Sequence, residues 1–380
     1  MRRAPSRPDA GKAAAAAGRT DPERVAELAR GSVEIIRASQ APTGAYLASP
    51  NFAAYRYSWL RDGAFIADAM SRVGDIESAE AFFGWCASVV IDRRERIDSL
   101  IADRDAGRDI PHSAFLNTRY TVEGRESDEE WSEFQLDGYG TWLWALDAHR
   151  RRHGRPLPDL VAGAELSARY VAAFHDRATF DWWEEFEDHH ASTLGSLYGG
   201  LAALSSWPEL PSGTRDEVAE AAGAIRERLL ADANRLGSFA KVLGGSDVDA
   251  SLLTLATPFR LVDQHDPWMQ RTLEQIESGL VVDRGVHRHR EDIYFGGGQW
   301  LLLAAFLGWH YVELGRLEDA WSELDWIAGQ ATPAGELPEQ VGHHLLAPDH
   351  FGDWPVPIAT PLLWSHAMFL TLASELGALA

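Results

Sequence analysis

Phe180-Asp181-Trp182-Trp183-Glu184-Glu185-Phe186-Glu187-Asp188-His189-His190 places two indoles, several carboxylates and two imidazoles in eleven consecutive positions. Neighbouring residues of a helix point to different faces, so Trp182 and Trp183 do not share one core stripe. A solvated loop would not spend two tryptophans. The segments on either side, 160–178 and 193–206, repeat apolar residues at helical spacing. The stretch therefore reads as a link between two helices. One reading makes it a concave surface that stacks a polar ring and handles protons. The other makes it a half-buried turn with a solvated acidic rim.

Working outward, helical periodicity dominates the chain, and no series of alternating strands stands out. Candidate helices run over 21–37, 62–73, 76–97, 138–153, 160–178, 193–206, 213–236, 248–255, 266–279, 298–314, 317–331 and 360–376. Caps are expected at Thr20-Asp21-Pro22, Ser212-Gly213 and Asp266-Pro267. Long links over 38–61, 98–137, 179–192, 280–297 and 332–359 precede even-numbered helices, and a shorter Gly-rich one covers 237–247. Long links without helices of their own tend to be functional. If helices alternate between an inner and an outer ring, these links all emerge at one end. The expectation is an all-α barrel of about twelve helices, six inner and six outer, with the chemistry on one rim.

Composition narrows the partners. Asp and Glu total 57 against 35 Lys and Arg, a formal charge of −22. Such a field repels nucleic acid and anionic membranes and suits a neutral or cationic ligand. Fifteen Trp suit stacking on sugars or other flat faces. The one cysteine, Cys86, sits in an apolar run and excludes an intrachain disulfide. Residues 1–20 read as a disordered arm and 21–380 as a single catalytic domain. No apolar run approaches the roughly 18 residues of a membrane span, and a cytoplasmic location is expected.

The long links carry the candidate chemistry. Tyr55-Arg56-Tyr57-Ser58-Trp59-Leu60-Arg61-Asp62-Gly63 offers an Arg–Asp pair among aromatics, suited to vicinal hydroxyls; Asp62 could equally cap a helix. Trp131, Gln135 and Asp137 close the second link as sugar contacts, with Asp137 another possible cap. Gly296-Gly297-Gly298 lacks the Lys-Ser/Thr and the preceding strand of a phosphate loop, so close packing at a helix start explains it better. Glu339 in Pro338-Glu339-Gln340 supplies a second carboxyl far along the chain. Glycoside cleavage needs such a pair, one to protonate the leaving oxygen and one at the opposite face of the sugar. His189, His190, His343, His344 and His350 lack zinc-type spacing and suit hydrogen bonding, so neither metal nor cofactor is expected.

Five segments in order resemble glycoside hydrolase family 15, the glucoamylase family. Tyr57 through Asp62 is similar to its W-x-R-D motif, and Trp183-Glu184-Glu185 to its W-E-E motif. Arg288 through Asp292 with Tyr294 resembles its R-x-x-E-D-x-Y segment, Glu336 through Gln340 its E/S-x-x-E-Q segment, and Leu363 through Ala367 its closing helix start. The family fold is an (α/α)6 barrel. The resemblance implies Glu184 as general acid and Glu339 as general base, and inverting release of β-glucose from a non-reducing end. It implies substrate contacts from Arg61, Asp62, Trp182, Glu185, Arg288 and Trp364, and Tyr57, Trp59, Trp131, Gln135, Asp137, Trp183 and Glu291 complete the candidate sugar-binding set. Inversion needs carboxyls about 6.5–9.5 Å apart and a proton on Glu184, which burial beside Trp183 would favour.

The chain has no room for a starch-binding module or an N-terminal β-sandwich, so it resembles the short, barrel-only members. The expected substrate is a small oligosaccharide, isomaltose or a short isomalto-oligosaccharide with α-1,6 links, acted on by a monomer or weak homo-oligomer. An α-1,4 glucosidase or a trehalase of the same family stays open. So do an epimerase of the N-acylglucosamine type and a non-catalytic sugar-binding barrel. A terpene-processing barrel would need an Asp-rich metal motif, and none is present.

Overall fold

Helix α8 (Ser212–Leu236) buries only Thr214, Val218, Ala221, Ala222, Ile225, Leu229 and Ala233, one stripe at helical spacing. Helix α2 (Leu60–Arg72) buries every residue from Leu60 to Ser71. That contrast separates an outer layer from an inner one. The protein is a computed structural model whose described residues are 21–379; the arm expected over 1–20 lies outside them. The remaining α-helices are α1 (Pro22–Ala38), α3 (Ile76–Ile91), α4 (Arg94–Asp105), α5 (Asp137–His153), α6 (Val161–Phe174) and α7 (Ala191–Leu204), then α9 (Pro267–Gly279), α10 (Leu301–Glu313), α11 (Leu317–Gly329) and α12 (Leu363–Glu375).

Each inner element packs on the next: α2 on α5, α5 on α7, α7 on the 3₁₀ segment Ala250–Leu255, that segment on α10, α10 on α12, and α12 back on α2. Outside them, α1 packs on α12, α3 on α2, α6 on α5, α8 on α7, α9 on the 3₁₀ segment and α11 on α10. This is the expected (α/α)6 barrel, and its inner members α2, α5, α7, the 3₁₀ segment, α10 and α12 are the elements that follow the links. Some approaches between inner helices demand glycine. A Cβ on Gly200 of α7 would lie 2.3 Å from the Gly140 carbonyl oxygen of α5. A six-ring aromatic plug fills the interior: Phe65, Trp144, Trp182, Phe259, Phe306 and Trp364.

Several expectations need correction. The helix expected over 76–97 is two. At Arg93 the backbone leaves helical geometry (φ −106°, ψ 15°), while its guanidinium donates to the Val89 and Gly124 carbonyls at 2.8 and 2.9 Å. Helix α4 thus occupies the start of the link expected over 98–137. The inner element near 248–255 is 3₁₀ rather than α and only six residues long; it begins at the Asp249 cap and stops ahead of Pro258, which lacks the N–H to extend it. Asp21 and Asp266 cap their helices as expected, but Ser212 does not. Asp62 and Asp137 lie inside first turns, behind Trp59 and Leu136 at the N-cap positions, and neither is a cap. Four antiparallel pairs of two-residue strands also tie the links: β1 (Ser58–Trp59) with β2 (Arg119–Tyr120), β3 (Thr179–Phe180) with β4 (Glu187–Asp188), β5 (Val281–Val282) with β6 (Gly285–Val286), and β7 (Gln299–Trp300) with β8 (Gln340–Val341).

One buried acid sits away from the rim. Glu323 of α11 is fully buried, its two carboxyl oxygens have no hydrogen bond, and the Arg284 guanidinium is 3.7 Å away. Burial pushes it up to about 8 against that guanidinium. The folded chain then holds this proton more tightly than the unfolded one, so its contribution is full below about pH 4.5 and is lost as pH rises to about 8. Thermal unfolding temperatures are expected to fall over that window. Glu323→Gln, which needs no proton, is expected to flatten part of the fall. An identical pH dependence in the two proteins would assign the effect elsewhere.

Candidate active site

The long links meet at the N-terminal ends of the inner helices and line a cavity of about 890 Å³. Helix N-termini carry partial positive charge, which offsets the acids gathered there. The aromatic plug closes the barrel beneath, so the cavity is a pocket rather than a channel.

Glu184 stands at the tip of the β3–β4 hairpin. The turn is pinned by Asp181, whose carbonyl accepts the Glu184 N–H at 3.1 Å and whose carboxylate accepts the Glu185 N–H at 2.8 Å. Glu184 itself sits in the left-handed region (φ 64°), a strained geometry for a non-glycine residue. Its Oε1 accepts from Trp59 Nε1 at 2.8 Å and from Gln135 Nε2 at 2.9 Å, and its Oε2 accepts from Trp131 Nε1 at 2.8 Å. Burial raises Glu184 above the usual carboxylate range, opposed by Arg61 at 3.9 Å and by those N–H donors.

Glu339 is 3% exposed and reaches the same cavity from the last link. Tyr55 donates its hydroxyl to Glu339 Oε1 at 3.1 Å, and the Tyr55 and Tyr294 hydroxyls are hydrogen-bonded at 2.9 Å. Oε2 of Glu339 has no protein partner. Burial pushes Glu339 up to about 8, against the Tyr55 hydroxyl and Arg288.

Arg61, Asp62 and Arg288 form the charged end of the pocket. Arg61 donates to Gln135 and Asp137 at 2.9 and 3.0 Å, while its Nε and Asp62 Oδ2 lie 3.3 Å apart without hydrogen-bond alignment. Burial pushes Asp62 up to about 6, with Arg61 opposing. Arg288 is held by Asp292 through Nε at 2.8 Å and stacks over Trp183, Tyr294 and Trp300. Glu185 meets Arg288 at 3.1 Å, His289 at 3.0 Å and Lys241 at 2.9 Å. Burial alone would raise Glu185, but His289, Arg288 and Lys241 hold it well below the carboxylate range. Arg61 Nε, Asp62 Oδ2, Glu339 Oε2 and the indole nitrogens of Trp182, Trp300 and Trp364 are all buried without a partner. All six belong to cavity-lining residues. A bound polyol can satisfy such groups.

Of the residues expected from the sequence, Trp59, Arg61, Asp62, Trp131, Trp182, Trp183, Glu184, Glu185, Arg288, Glu339 and Trp364 line the cavity together. Four do not. Gln135 and Asp137 are fully buried behind Arg61 and Glu184 and act through them. Tyr57 packs under Arg119 and Trp59, and its place in the cavity belongs to Tyr55. Glu291 is exposed, and its neighbour Asp292 is the residue that holds Arg288. Lining residues that sequence reasoning missed include Tyr55, Phe52, Ile293, Trp300 and Trp354. Tyr55 and Tyr294 were within reach, since both belong to quoted motifs. The glycine triplet does pack closely, a Cβ on Gly298 falling 2.5 Å from the Gln340 side chain and the Val341 carbonyl. Cys86 is buried, and His344 and His350 pair with Asp283 and Asp353. Among the described residues no group of three or more His, Cys, Asp or Glu side chains converges as a metal site.

Known proteins share this sequence pattern and fold. Residues 28–317 match the family described as Glycosyl hydrolases family 15. The chain is 44% identical over 362 residues to an isomaltose glucohydrolase of Kribbella flavida, covering 94% of each. It is 24% identical over 349 residues to a trehalase of Thermoplasma acidophilum, covering 83% of this chain and 57% of that one. A glycosidase variant solved in complex with glucose superposes with a TM-score of 0.92 at 43% identity, covering 94% of this chain and 98% of the other. The family match, the relative covered over 94% of its length and the superposed fold agree, and the chain is a member of glycoside hydrolase family 15.

Proposed function

We propose that this chain is an inverting exo-α-glucosidase that releases β-glucose from the non-reducing end of short α-glucosides, isomaltose and isomalto-oligosaccharides foremost. The observation that carries the reading is a plugged pocket holding two buried carboxyls with different surroundings, Glu184 and Glu339. The likeness to an isomaltose glucohydrolase over 94% of the chain supports the α-1,6 linkage, and the more distant trehalase supports it less. A pocket over an aromatic plug favours cutting single units from an end. Residues 21–380 would act as one catalytic domain. Among the described residues no helix is long and apolar enough to cross a membrane, and the proposal places the enzyme in the cytoplasm.

In this mechanism Arg61, Asp62 and Arg288 bind hydroxyls of the terminal glucosyl ring, against the indoles of Trp182 and Trp364. Glu184 gives its proton to the glycosidic oxygen. Glu339 takes a proton from a water that attacks the anomeric carbon from the opposite face. In the free site burial raises both carboxyls, which suits Glu184 as the acid, while Glu339 must give up its proton to act as the base. The ligands favour those states: a glycosidic oxygen accepts from Glu184–H, and the attacking water donates to the unpaired Glu339 Oε2.

The roles separate by leaving group. Glu184→Gln and Glu339→Gln are each expected to lose about 10³-fold or more in kcat on isomaltose, with little change in thermal stability. On α-glucosyl fluoride, whose leaving group needs no proton, Glu184→Gln is expected to recover much of its activity and Glu339→Gln little. Near-normal isomaltose turnover in either variant removes that carboxyl from the mechanism. Across isomaltose, maltose and trehalose, kcat/KM is expected to be highest for isomaltose. A higher value for maltose or trehalose would overturn the linkage while leaving the family intact.

A further inference from the structure

Arg119 is a fully buried cation whose two ion-pair partners make no hydrogen bond to it. It sits on β2 directly across from Trp59 of β1. Its Nη1 donates to the Ala54 carbonyl at 3.2 Å, while Nε and Nη2 make no hydrogen bond. Glu129 and Glu133 approach it only to 3.5 Å. What surrounds it is aromatic. The guanidinium carbon lies 3.8 Å from the centre of the Trp131 ring, 4.3 Å from Tyr57 and 5.4 Å from Trp59. Burying a charge this way is costly unless its contacts do something else.

The rings it touches supply that something. Trp59 and Trp131 donate their indole N–H groups to the two different oxygens of Glu184, each at 2.8 Å. Arg119 lies behind both indoles and is absent from the cavity lining. Tyr57, which the sequence suggested as a sugar contact, is another face of this sandwich, with its hydroxyl held by Ser127 at 3.0 Å. We propose that Arg119 is a positioning residue for the proton donor: it clamps Trp59 and Trp131 so that both indole N–H groups stay aimed at the Glu184 carboxyl. The inference rests on the reading of Glu184 as the acid. The planar guanidinium suits the task, because its broad face can contact several aromatic rings at once where a compact ammonium does not. A cation on an indole face also draws electron density from the ring and strengthens N–H donation.

Glu184 is faced by Arg61 at 3.9 Å and, more weakly, by Asp62, Glu133, Tyr55 and Tyr294; Glu129 and Glu133 face Arg119. All of these remain in an Arg119 variant, and Arg119→Lys also keeps the positive charge, so a change in the titration of Glu184 in Arg119→Lys reads the clamp rather than the lost cation. The experiment compares wild type, Arg119→Gln and Arg119→Lys by kcat against pH on isomaltose. In parallel, ¹⁵N indole spectra of the full chain are followed against pH, with Trp59→Phe and Trp131→Phe assigning the two signals. Arg119→Gln is expected to lower kcat on the order of 10- to 100-fold, with KM changing little. The midpoint sensed by both indoles is expected to move to higher pH, because the carboxylate loses aligned donors. Arg119→Lys is expected to fall between.

Wild-type indole midpoints and an unshifted kcat profile in Arg119→Gln would overturn the proposal, even if the variant were less thermostable. If Arg119→Gln does not fold, Arg119→Lys decides: wild-type turnover and titration with an ammonium in place of the planar clamp would overturn it equally. If wild type cleaves no α-glucoside, the proposed function falls, and the indole midpoints still report whether Arg119 controls the surroundings of Glu184.

Discussion

Helix α12 packs back onto α2, and this contact between the two ends of the chain closes the inner ring. It is made by stacked rings, Phe65 of α2 and Trp364 of α12 with centroids 5.4 Å apart. Backbone joins it, the Leu363 N–H donating to the Ala48 carbonyl at 3.0 Å. The last link thereby lies beside the first, and Tyr55 reaches Glu339 across 284 positions of sequence. Without that closure Arg61, Asp62 and Glu184 would be one half of a site. The aromatic plug that stops the pocket also needs α10 and α12 to meet α2.

Closure alone would give two buried acids of similar character. Their neighbours make them different. Glu184 is ringed by N–H donors on a strained hairpin tip, whereas Glu339 has one tyrosine hydroxyl and one free oxygen. Each therefore responds differently when a glycosidic oxygen and a water arrive. Behind them a layer that touches no sugar holds the geometry: Gln135 and Asp137 behind Arg61, Asp292 behind Arg288, and the Arg119 sandwich behind Trp59 and Trp131.

Much of this was legible in the chain. Apolar periodicity located the helices, and the alternation of long and short links placed the chemistry at one end, because helix spacing is a local property. The adjacent tryptophans of 182–183 announced a bend for the same reason. What stayed hidden depends on distant pairing. No local pattern distinguishes Tyr55 from Tyr57, or Glu291 from Asp292; the choice is made by which side chain faces Glu339 or Arg288. Gln135 and Asp137 look like contacts in sequence because a polar residue near a site reads the same whether it meets the ligand or its neighbour. Asp62 and Asp137 resembled helix caps, yet α2 and α5 start earlier, which leaves both carboxylates to Arg61. The inner element Ala250–Leu255 is too short for its apolar run to tell 3₁₀ from α.

The central claim is that Glu184 and Glu339 act on opposite faces of one anomeric carbon. Stereochemistry reads this directly. Proton NMR of isomaltose during the first minutes of hydrolysis, before mutarotation levels the anomers, distinguishes the outcomes. The β-glucose H1 signal is expected to grow first, with the α signal following at the rate of mutarotation. Early accumulation of α-glucose would contradict the account, because it would require a covalent intermediate or attack from the leaving-group side.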